Sequence, residues 1–242
     1  MTAELVDDLR RALALPRSGA EPPPAGRREA AVLLLADPAR AGAPVLFVRR
    51  AAHLRQHAGQ IGLPGGSREP GDRDVVATAL REAGEEVGVE PGNVEVLGTL
   101  APRLTHRSQL WLTPVIGVQL HPFAVRGDGY EVAEWFWVPL AELRRAPHRV
   151  ERWERYGEPP RDVHHYQAAG RIIWGVTGQI LHDLFELLAA AGYQGAEKPA
   201  TITGPRPLQD VRVFFQRVGL RRTGDAGTGD PPDGDAVRRH HR

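Results

Sequence analysis

Cysteine is absent from this sequence of 242 residues. Its absence excludes disulfide bonds, thiolate metal sites and a cysteine nucleophile, and it suits a reducing compartment. Also missing are an apolar run near the roughly 18 residues of a membrane-spanning helix and, at the N-terminus, the basic and then apolar stretch of a signal sequence. We therefore expect a cytoplasmic protein with no membrane partner.

A strong net charge is absent too. The 31 Lys and Arg residues nearly balance the 30 Asp and Glu residues, which leaves a formal net charge of +1. Such a balance gives no general attraction to nucleic acid or to a membrane surface, so neither is an expected partner. The composition is otherwise that of a globular protein, and function has to be sought in local motifs.

The most informative stretch is residues 65–89, whose second half predicts an amphipathic helix. At about 100° per residue, the carboxylates of Glu82, Glu85 and Glu86 fall within an arc of roughly 100° and form one acidic face. Because the apolar residues lie well away from that arc, the helix is expected to pack one side on a sheet. These apolar residues are Val76, Leu80, Ala83 and Val87.

Three carboxylates at this spacing repel one another, so their arrangement costs stability unless a cation lies between them. Magnesium favours carboxylate oxygens and water, and it commonly binds substrate phosphates as well. The acidic face therefore indicates a divalent metal site, for Mg²⁺ or Mn²⁺, that serves phosphate chemistry. From the residues by themselves, the alternative is a solvated helix face that keeps the protein soluble.

Residues 81–89 resemble the second half of the Nudix box, Arg-Glu-(apolar)-x-Glu-Glu-x-Gly-(apolar), at every fixed position. The first half departs from the box, since Arg73 stands where the box has glutamate and Ser67 where it has glycine. Asp72 and Asp74 flank the missing glutamate. This departure resembles the coenzyme A pyrophosphatase branch of the Nudix hydrolases, in which an acidic residue displaced by one position follows a Pro-Gly-Gly.

A second motif lies just upstream and is similar to the one that the same branch carries before its box. It comprises residues 46–50 and 54–66 and ends in Leu-Pro-Gly-Gly. Glycine permits close approach of backbone to a ligand, and guanidinium groups match phosphate oxygens. The candidate substrate-binding residues are accordingly Arg49, Arg55, His57, Gly65 and Gly66. Anchoring of the loop by the long side chains, and a tight turn at Gly65, are equal alternatives.

The resemblance implies an α+β Nudix fold, with a mixed β-sheet sandwiched between α-helices (α/β/α). It implies metal ligation by Glu82, Glu85 and Glu86, one of which helps to deprotonate water, and a positioning role for Arg81. The implied reaction is Mg²⁺-dependent cleavage of coenzyme A or its derivatives to 3′,5′-ADP and 4′-phosphopantetheine. Hydrolysis of another nucleoside diphosphate compound, such as ADP-ribose or a dinucleotide, is one open alternative. The other is a non-catalytic nucleotide sensor. The expected partner is this small molecule, and a homodimer is left open.

Hydrophobic patterns divide the chain into three parts. An amphipathic helix at 3–14 and a proline-rich linker make up residues 1–29, the Nudix domain occupies 30–190, and 191–242 form an extension. The last 20 or so residues are expected to be disordered because they contain almost no hydrophobic side chains. Strands are predicted at 30–36, 44–49, 94–100, 110–120 and 131–139, a hairpin at 163–173, and helices at 140–145 and 174–190. Pro114 suggests an edge strand or a bulge.

Several polar residues near these elements have a structural interpretation. Asp72 or Asp74 is a candidate N-cap for the acidic helix, and Gly88 is a candidate stop. Glu131 and Glu134 fit surface charges better than additional metal ligands.

Two histidine pairs invite a metal interpretation that the pattern does not support. His164 and His165 are adjacent on a predicted strand, so their side chains point to opposite faces. We interpret them as structural or exposed. The pair His240 and His241 is too short a motif, at the end of a polar stretch, to be a convincing metal site.

Overall fold

The computed structural model describes residues 2–14, 22–106, 108–155, 158–193 and 221–222. Its helices are α1 (Thr2–Ala14), α2 (Val75–Val87), α3 (Leu140–Arg145) and α4 (Gly175–Ala190), and a 3₁₀ turn spans Pro91–Asn93. Its strands are β1 (Glu29–Ala36), β2 (Pro44–Arg50), β3 (Ile61–Gly62), β4 (Gly65–Ser67), β5 (Val94–Thr99), β6 (Arg103–Leu104), β7 (Trp111–Gln119), β8 (Val132–Pro139), β9 (His148–Arg155), β10 (Glu158–Ala168), β11 (Arg171–Trp174) and β12 (Arg221–Arg222). Among the helices in these ranges, none has the length and apolar character needed to cross a membrane.

A mixed sheet is built around β1, whose continuous apolar run is typical of a strand buried on both faces. β1 runs parallel to β7, from the pair Glu29 and Trp111 to the pair Ala36 and Val118. It runs antiparallel to β2 and β4. The eight-stranded sheet has the central order β3-β2-β1-β7-β5, and β4, β6 and β8 pair with β1, β7 and β2. Parallel and antiparallel pairs in one sheet confirm the predicted mixed arrangement.

Alternation along β1 gives each face of the sheet its own hydrophobic core. Leu33 and Leu35 pack in a cluster with buried residues of α2. Leu34 and Ala36 pack in another cluster, with buried residues of α1, α3 and α4. Burial of apolar side chains on both faces places helices on both sides of the sheet. The predicted α/β/α arrangement is confirmed.

Pro114 lies inside the sheet, so of its two predicted placements, in an edge strand or at a bulge, the edge strand is wrong. β7 is flanked by β1 on one side and by β5 and β6 on the other. Pairing with β5 ends at Val115 and pairing with β6 starts at Leu112. The Pro114 carbonyl accepts a 2.9 Å hydrogen bond from the Leu100 N–H, so the proline nitrogen also faces this gap between two short strands. Its missing N–H is tolerated because the ladder is interrupted there.

α2 begins and ends at residues that the sequence indicates. Asp74 is the N-cap, and its side chain accepts a hydrogen bond of 2.8 Å from the Ala77 N–H. Gly88 ends the helix with φ of 74°, a left-handed conformation that glycine adopts without strain. Within the predicted apolar stripe, the first two positions are partly buried, whereas Ala83 and Val87 are fully buried.

The chain divides into two compact units. Unit 1 comprises Met1–Val150 and Val163–Gly204, and unit 2 comprises Glu151–Asp162 and Pro205–Arg242. In unit 1, α1 packs against α4 and β5 and buries Leu9. The N-terminal helix thus belongs to the same unit as the sheet. The predicted domain limits at residues 30 and 190 stay a prediction, and the first part of the predicted linker lies outside the described residues.

The region after β8 contains two strands that the sequence patterns do not predict, β9 and the two-residue β12. The helices predicted at 140–145 and 174–190 are confirmed as α3 and α4. The predicted hairpin corresponds to β10 and β11, which pair from His165 and Trp174 to Ala168 and Arg171. In unit 2, β12 pairs with β9, so residues 221–222 form a strand in a stretch predicted to be disordered. The rest of the predicted extension after residue 193 lies outside the described residues.

Candidate active site

Two glycines bring the short strand β4 against the acidic helix. Gly65 has φ of 152°, and a Cβ at this position would overlap the backbone of Ala31 and Val32 on β1. A Cβ on Gly66 would overlap the carboxylate of Glu82. Glycine is required at position 65, where a Cβ would meet backbone, whereas at position 66 the carboxylate of Glu82 would have to move aside. Both glycines predicted to bind substrate therefore lie beside the carboxylates.

Glu86 is the most buried of the three helix glutamates, with 4% of its surface exposed. Its Oε2 accepts a hydrogen bond of 3.0 Å from the Gly65 N–H, and its Oε1 lies 3.4 Å from Nη1 of Arg50. Burial raises the pKa of Glu86 to about 7, although the Gly65 N–H and Arg50 act to lower it. The charges of Glu131 and Glu82 add to the rise. Glu86 is therefore poised between its two protonation states at neutral pH.

Arg81 connects the other two glutamates of the helix. Its Nη2 donates to Oε1 of Glu82 and its Nη1 donates to Oε2 of Glu85, both at 3.0 Å. Glu82 is partly buried, and burial raises its pKa despite the charge of Arg81. The side chain of Glu85 is 60% exposed. The predicted acidic face is thus divided, with Glu82 and Glu86 on its buried side and Glu85 at its exposed corner.

Asp72 holds Arg81 in place. Its Oδ1 and Oδ2 accept hydrogen bonds of 3.0 Å from Nε and Nη2 of Arg81, a bidentate and charge-assisted pair. Thr78 Oγ1 and the Glu69 N–H donate to the same carboxylate. Arg81 first, and then these two donors, hold the pKa of Asp72 well below its usual range. Arg73, which stands where the Nudix box has glutamate, is exposed. The carboxylate that contacts Arg81 comes from Asp72, one position earlier, which is buried.

Arg50, which the sequence analysis does not single out, reaches Glu86 and Glu131, and the predicted role of Arg49 in binding substrate stays a prediction. Nη2 of Arg50 lies 2.9 Å from Oε2 of Glu131, while its Nη1 faces Glu86. Arg49 instead pairs with Glu134 at 2.9 Å. Neighbouring strand residues point to opposite faces, and Arg50 has the same parity as the residues of β2 that pack in the core with α2. This alternation is the signal in the sequence that identifies Arg50.

The loop at residues 126–132 fixes Glu131, which the sequence predicts as a surface charge. Backbone N–H groups of this loop donate to the last two carbonyls of α2, at 3.1 Å each, and so satisfy acceptors that the helix leaves without partners. The carboxylate of Asp128 accepts hydrogen bonds from the N–H groups of residues 130–132. Burial acts to raise the pKa of Asp128, but these hydrogen bonds lower it overall. Glu131 is thereby held next to Arg50.

The other two residues predicted to bind substrate lie on the loop between β2 and β3. Arg55 is exposed on this loop. His57 has φ of 57°, and its Nδ1 lies 2.9 Å from Oε1 of Gln60. The contact favours the interpretation that His57 anchors the loop. Arg55 stays a candidate for binding phosphate.

The donor groups of this site suit a divalent cation. Glu82 and Glu86 present carboxylate oxygens, and the charge of Glu131 raises the pKa of both, so several negative charges lie at close range. Magnesium needs one or two carboxylates, with water and substrate phosphates as its other ligands. Glu82 and Glu86 meet this requirement from the buried side of the face, and Glu85 lies at its exposed corner.

Comparison with known proteins identifies the family of this chain. The chain matches the model of the NUDIX domain over residues 26–157, which is more than half of its length. A protein from Photorhabdus laumondii named "Uncharacterized Nudix hydrolase NudL" is 40% identical over 171 residues, which cover 67% of this chain and 89% of the relative. A protein of the same name from Pectobacterium atrosepticum is 40% identical over 144 residues, which cover 58% and 72% of the two chains.

Solved structures are similar to a smaller extent. The Nudix hydrolase RenU from M. smegmatis is 30% identical, covers 48% of this chain and 73% of its own, and has a TM-score of 0.41. A MutT/nudix family protein from Enterococcus faecalis is 17% identical, covers 78% of this chain and 75% of its own, and has a TM-score of 0.44. On the strength of the domain match and the NudL relatives, this chain belongs to the Nudix hydrolases and is a pyrophosphohydrolase.

Proposed function

We propose that the protein hydrolyses the pyrophosphate bond of coenzyme A or its thioester derivatives with Mg²⁺. Water attacks one phosphorus atom, the P–O–P bond breaks, and the products are 3′,5′-ADP and 4′-phosphopantetheine. The observation that carries the proposal is the buried carboxylate of Glu86 between Gly65 and Arg50. Because its pKa is about 7 without a cation, a bound divalent charge would hold it ionised at neutral pH.

Each charged residue of the site has a proposed role. Glu82 and Glu86 are the principal metal ligands, and Glu85 adds a third carboxylate from the exposed side. When bound, the cation neutralises phosphate charge and lowers the pKa of an attached water. Arg81 is a positioning residue that orients Glu82 and Glu85. Arg50 offers a guanidinium group to phosphate oxygens beside the same carboxylates.

Two features support coenzyme A within the range of nucleoside diphosphate compounds. The displaced acidic residue that resembles this branch is Asp72, and it has a defined function as the bidentate partner of Arg81. The upstream motif contributes the loop that leads to Gly65 and exposes Arg55. Coenzyme A carries a 3′-phosphate that ADP-ribose lacks, besides a pantetheine arm in place of the terminal ribose, and a guanidinium group on this loop suits such a phosphate.

The test is a cleavage assay on purified protein with Mg²⁺, in which coenzyme A, ADP-ribose and a dinucleoside polyphosphate are offered in parallel. Products are identified by mass. We expect 4′-phosphopantetheine to be released from coenzyme A faster than either other substrate is cleaved. The variant Arg55→Gln should then raise KM for coenzyme A more than for dephospho-coenzyme A, which lacks the 3′-phosphate.

Two outcomes would contradict the proposal in different ways. Faster cleavage of ADP-ribose or of the dinucleoside polyphosphate would mean that the protein is a hydrolase with a substrate other than coenzyme A. Binding of coenzyme A without cleavage of any compound would favour a nucleotide sensor. The variant Glu86→Gln, purified in the same way, serves as the low-activity control, because its turnover is expected to fall by orders of magnitude while any contaminating hydrolase would be carried over unchanged.

A further inference from the structure

Three histidines from three different elements meet on the sheet face opposite α2. His148 begins β9, His164 lies in β10, and His182 lies in α4. Each offers one ring nitrogen, and these three nitrogens all lie within 4.8 Å of one another. Nε2 of His148 is 2.9 Å from Nδ1 of His164. Among the described residues, this is the one group of three histidine or carboxylate side chains whose ligand atoms are gathered in this way.

The surrounding packing holds the three rings together. His148 and His164 are buried, and His182 is partly buried. The ring centroids of His164 and His182 are 4.0 Å apart. On the far side, His148 stacks on Tyr166 at 4.4 Å. The imidazoles therefore occupy a closed stack in which two rings are removed from solvent.

Gly178 brings α4 close enough to β10 for this contact. A Cβ on Gly178 would overlap the backbone carbonyl of His164. His182 lies four residues further along the same helix, and positions i and i+4 share one helix face. The close approach at Gly178 thus directs His182 toward His164. The local backbone geometry and the gathered ring nitrogens are separate observations that agree on the same site.

We propose that His148, His164 and His182 bind a borderline divalent transition metal ion, such as Zn²⁺, Co²⁺ or Ni²⁺. Neutral imidazole nitrogen is a preferred ligand for these ions, whereas Mg²⁺ favours oxygen. Three histidines leave the fourth tetrahedral position to water. The site is independent of the glutamates of α2 in both its residues and its metal preference.

To accept such an ion, two of the rings must move slightly apart and the third must rotate. With metal–nitrogen bonds of about 2.0–2.1 Å, two tetrahedral ligand nitrogens lie about 3.3 Å apart. The 2.9 Å contact between His148 and His164 is slightly shorter than this, so the two rings move apart by a few tenths of an ångström. Their hydrogen-bonding proton moves to another ring nitrogen, because a ligating nitrogen carries no proton. His182, on the partly exposed helix, completes the set by rotation of its side chain.

The test is a metal titration on the untagged full chain in excess Mg²⁺. The chain carries His240→Gln and His241→Gln, so that the terminal pair contributes no imidazole. We expect one Co²⁺ per chain, detected by its visible absorption and displaced by Zn²⁺. At a concentration 100 times the dissociation constant, the ion should raise Tm by about 5–10 °C. Absence of stoichiometric binding to this chain would overturn the proposal.

Matched variants assign the binding to these residues. His182→Gln should weaken Co²⁺ binding by about 100-fold or more. His121→Gln replaces an exposed histidine of unit 1 and should bind as the parent does. The double variant Glu82→Gln and Glu86→Gln should also retain the site. Unchanged affinity in His182→Gln would overturn the proposal.

An X-ray absorption measurement on the parent protein gives a result that does not depend on the folding of a variant. The bound ion should show three imidazole ligands at about 2.0–2.1 Å. A shell made only of oxygen would place the ion elsewhere and overturn the proposal. Mg²⁺-dependent hydrolysis and circular dichroism of His182→Gln should match the parent, since this residue takes no part in the glutamate site.

Discussion

The glutamate site and the histidine site contrast in how the chain assembles them. Glu82 and Glu86 are one turn apart on α2 and share its face by the geometry of the helix. His148, His164 and His182 come from two strands and a helix, and they meet only because these elements pack together. A short sequence motif can therefore identify a site whose residues lie on one helix. It does not identify a site whose residues come from separate elements and meet only in the folded protein.

The two sites also differ in charge and in donor atoms. Glu86 and its neighbours carry negative charge, which Arg50 and Arg81 only partly balance. The histidines instead stack on one another and on Tyr166. Hard carboxylate oxygens suit Mg²⁺ and phosphate chemistry, whereas imidazole nitrogens suit transition metals. The following experiments test whether the two sites act independently.

Replacement of Glu86 should have the largest effect. In Glu86→Gln, a neutral amide replaces the buried carboxylate, and we expect kcat for coenzyme A to fall about 10³-fold, or about 4 kcal/mol in activation free energy. Steady-state hydrolysis with Mg²⁺ measures this. Glu90→Gln, at an exposed position after α2, should retain full activity. A loss of less than about tenfold in Glu86→Gln would remove this residue from the metal site.

The same carboxyl group should make metal-free stability depend on pH. The pKa of Glu86 is about 7 in the folded protein, against an ordinary value of 4.5. Between these values the folded state keeps a proton that the unfolded state has lost, so the stability contributed below pH 4.5 is lost as the pH rises to 7. The expected loss is about 3 kcal/mol.

Urea denaturation of the protein and of Glu86→Gln, both in a chelator, measures this dependence. The difference in unfolding free energy between the two should change across pH 5 to 7, because only the parent has the Glu86 carboxyl group. The pH dependence contributed by the histidines is common to both proteins and cancels in this difference. Excess Mg²⁺ should flatten the dependence, since it favours the ionised carboxylate. A constant difference would mean that Glu86 ionises at its ordinary pKa.

Two aspartates at the start of α2 should behave differently. Asp72→Asn removes the charged partner of Arg81, so it should cost about 2–3 kcal/mol of stability and lower kcat about 10–100-fold. Asp74→Ala removes only the N-cap and should cost about 1 kcal/mol, with kcat unchanged. Denaturation and hydrolysis assays on both variants measure these effects. An equal loss of kcat in Asp74→Ala would show that general weakening of the helix, rather than release of Arg81, impairs the site.

The smallest expected effects concern the neighbouring arginines of β2. Arg50→Gln leaves Glu86 and Glu131 without their shared cation, and kcat/KM should fall about tenfold. Arg49→Gln breaks an ion pair with Glu134 on the other face, which contributes about 0–1 kcal/mol to stability. Kinetics of the two variants compare them directly. A larger loss of kcat/KM in Arg49→Gln would support the original prediction that Arg49 binds substrate.

Sequence patterns predicted most of the local structure. The apolar run at 30–36, the caps of α2, and the bounds of α3 depend on neighbours in the chain, and all of them appear in the structure. The choice between an edge strand and a bulge at Pro114 depends on the strand order, which residue patterns do not contain. The patterns do not predict β9, because residues 149–155 are mostly charged and show no apolar alternation.

The acidic face of α2 could be predicted from the amino-acid sequence, because a helix places residues three and four apart on one side whatever surrounds it. The Nudix family could be predicted because the motif at residues 81–89 is continuous in the chain. The burial of Glu86, the exposure of Glu85 and the contacts of Asp72 and Arg50 with the site depend on the folded structure. The meeting of the three distant histidines depends on it as well. Burial, strand order and contacts between elements arise from packing, and packing depends on the whole chain rather than on any one segment.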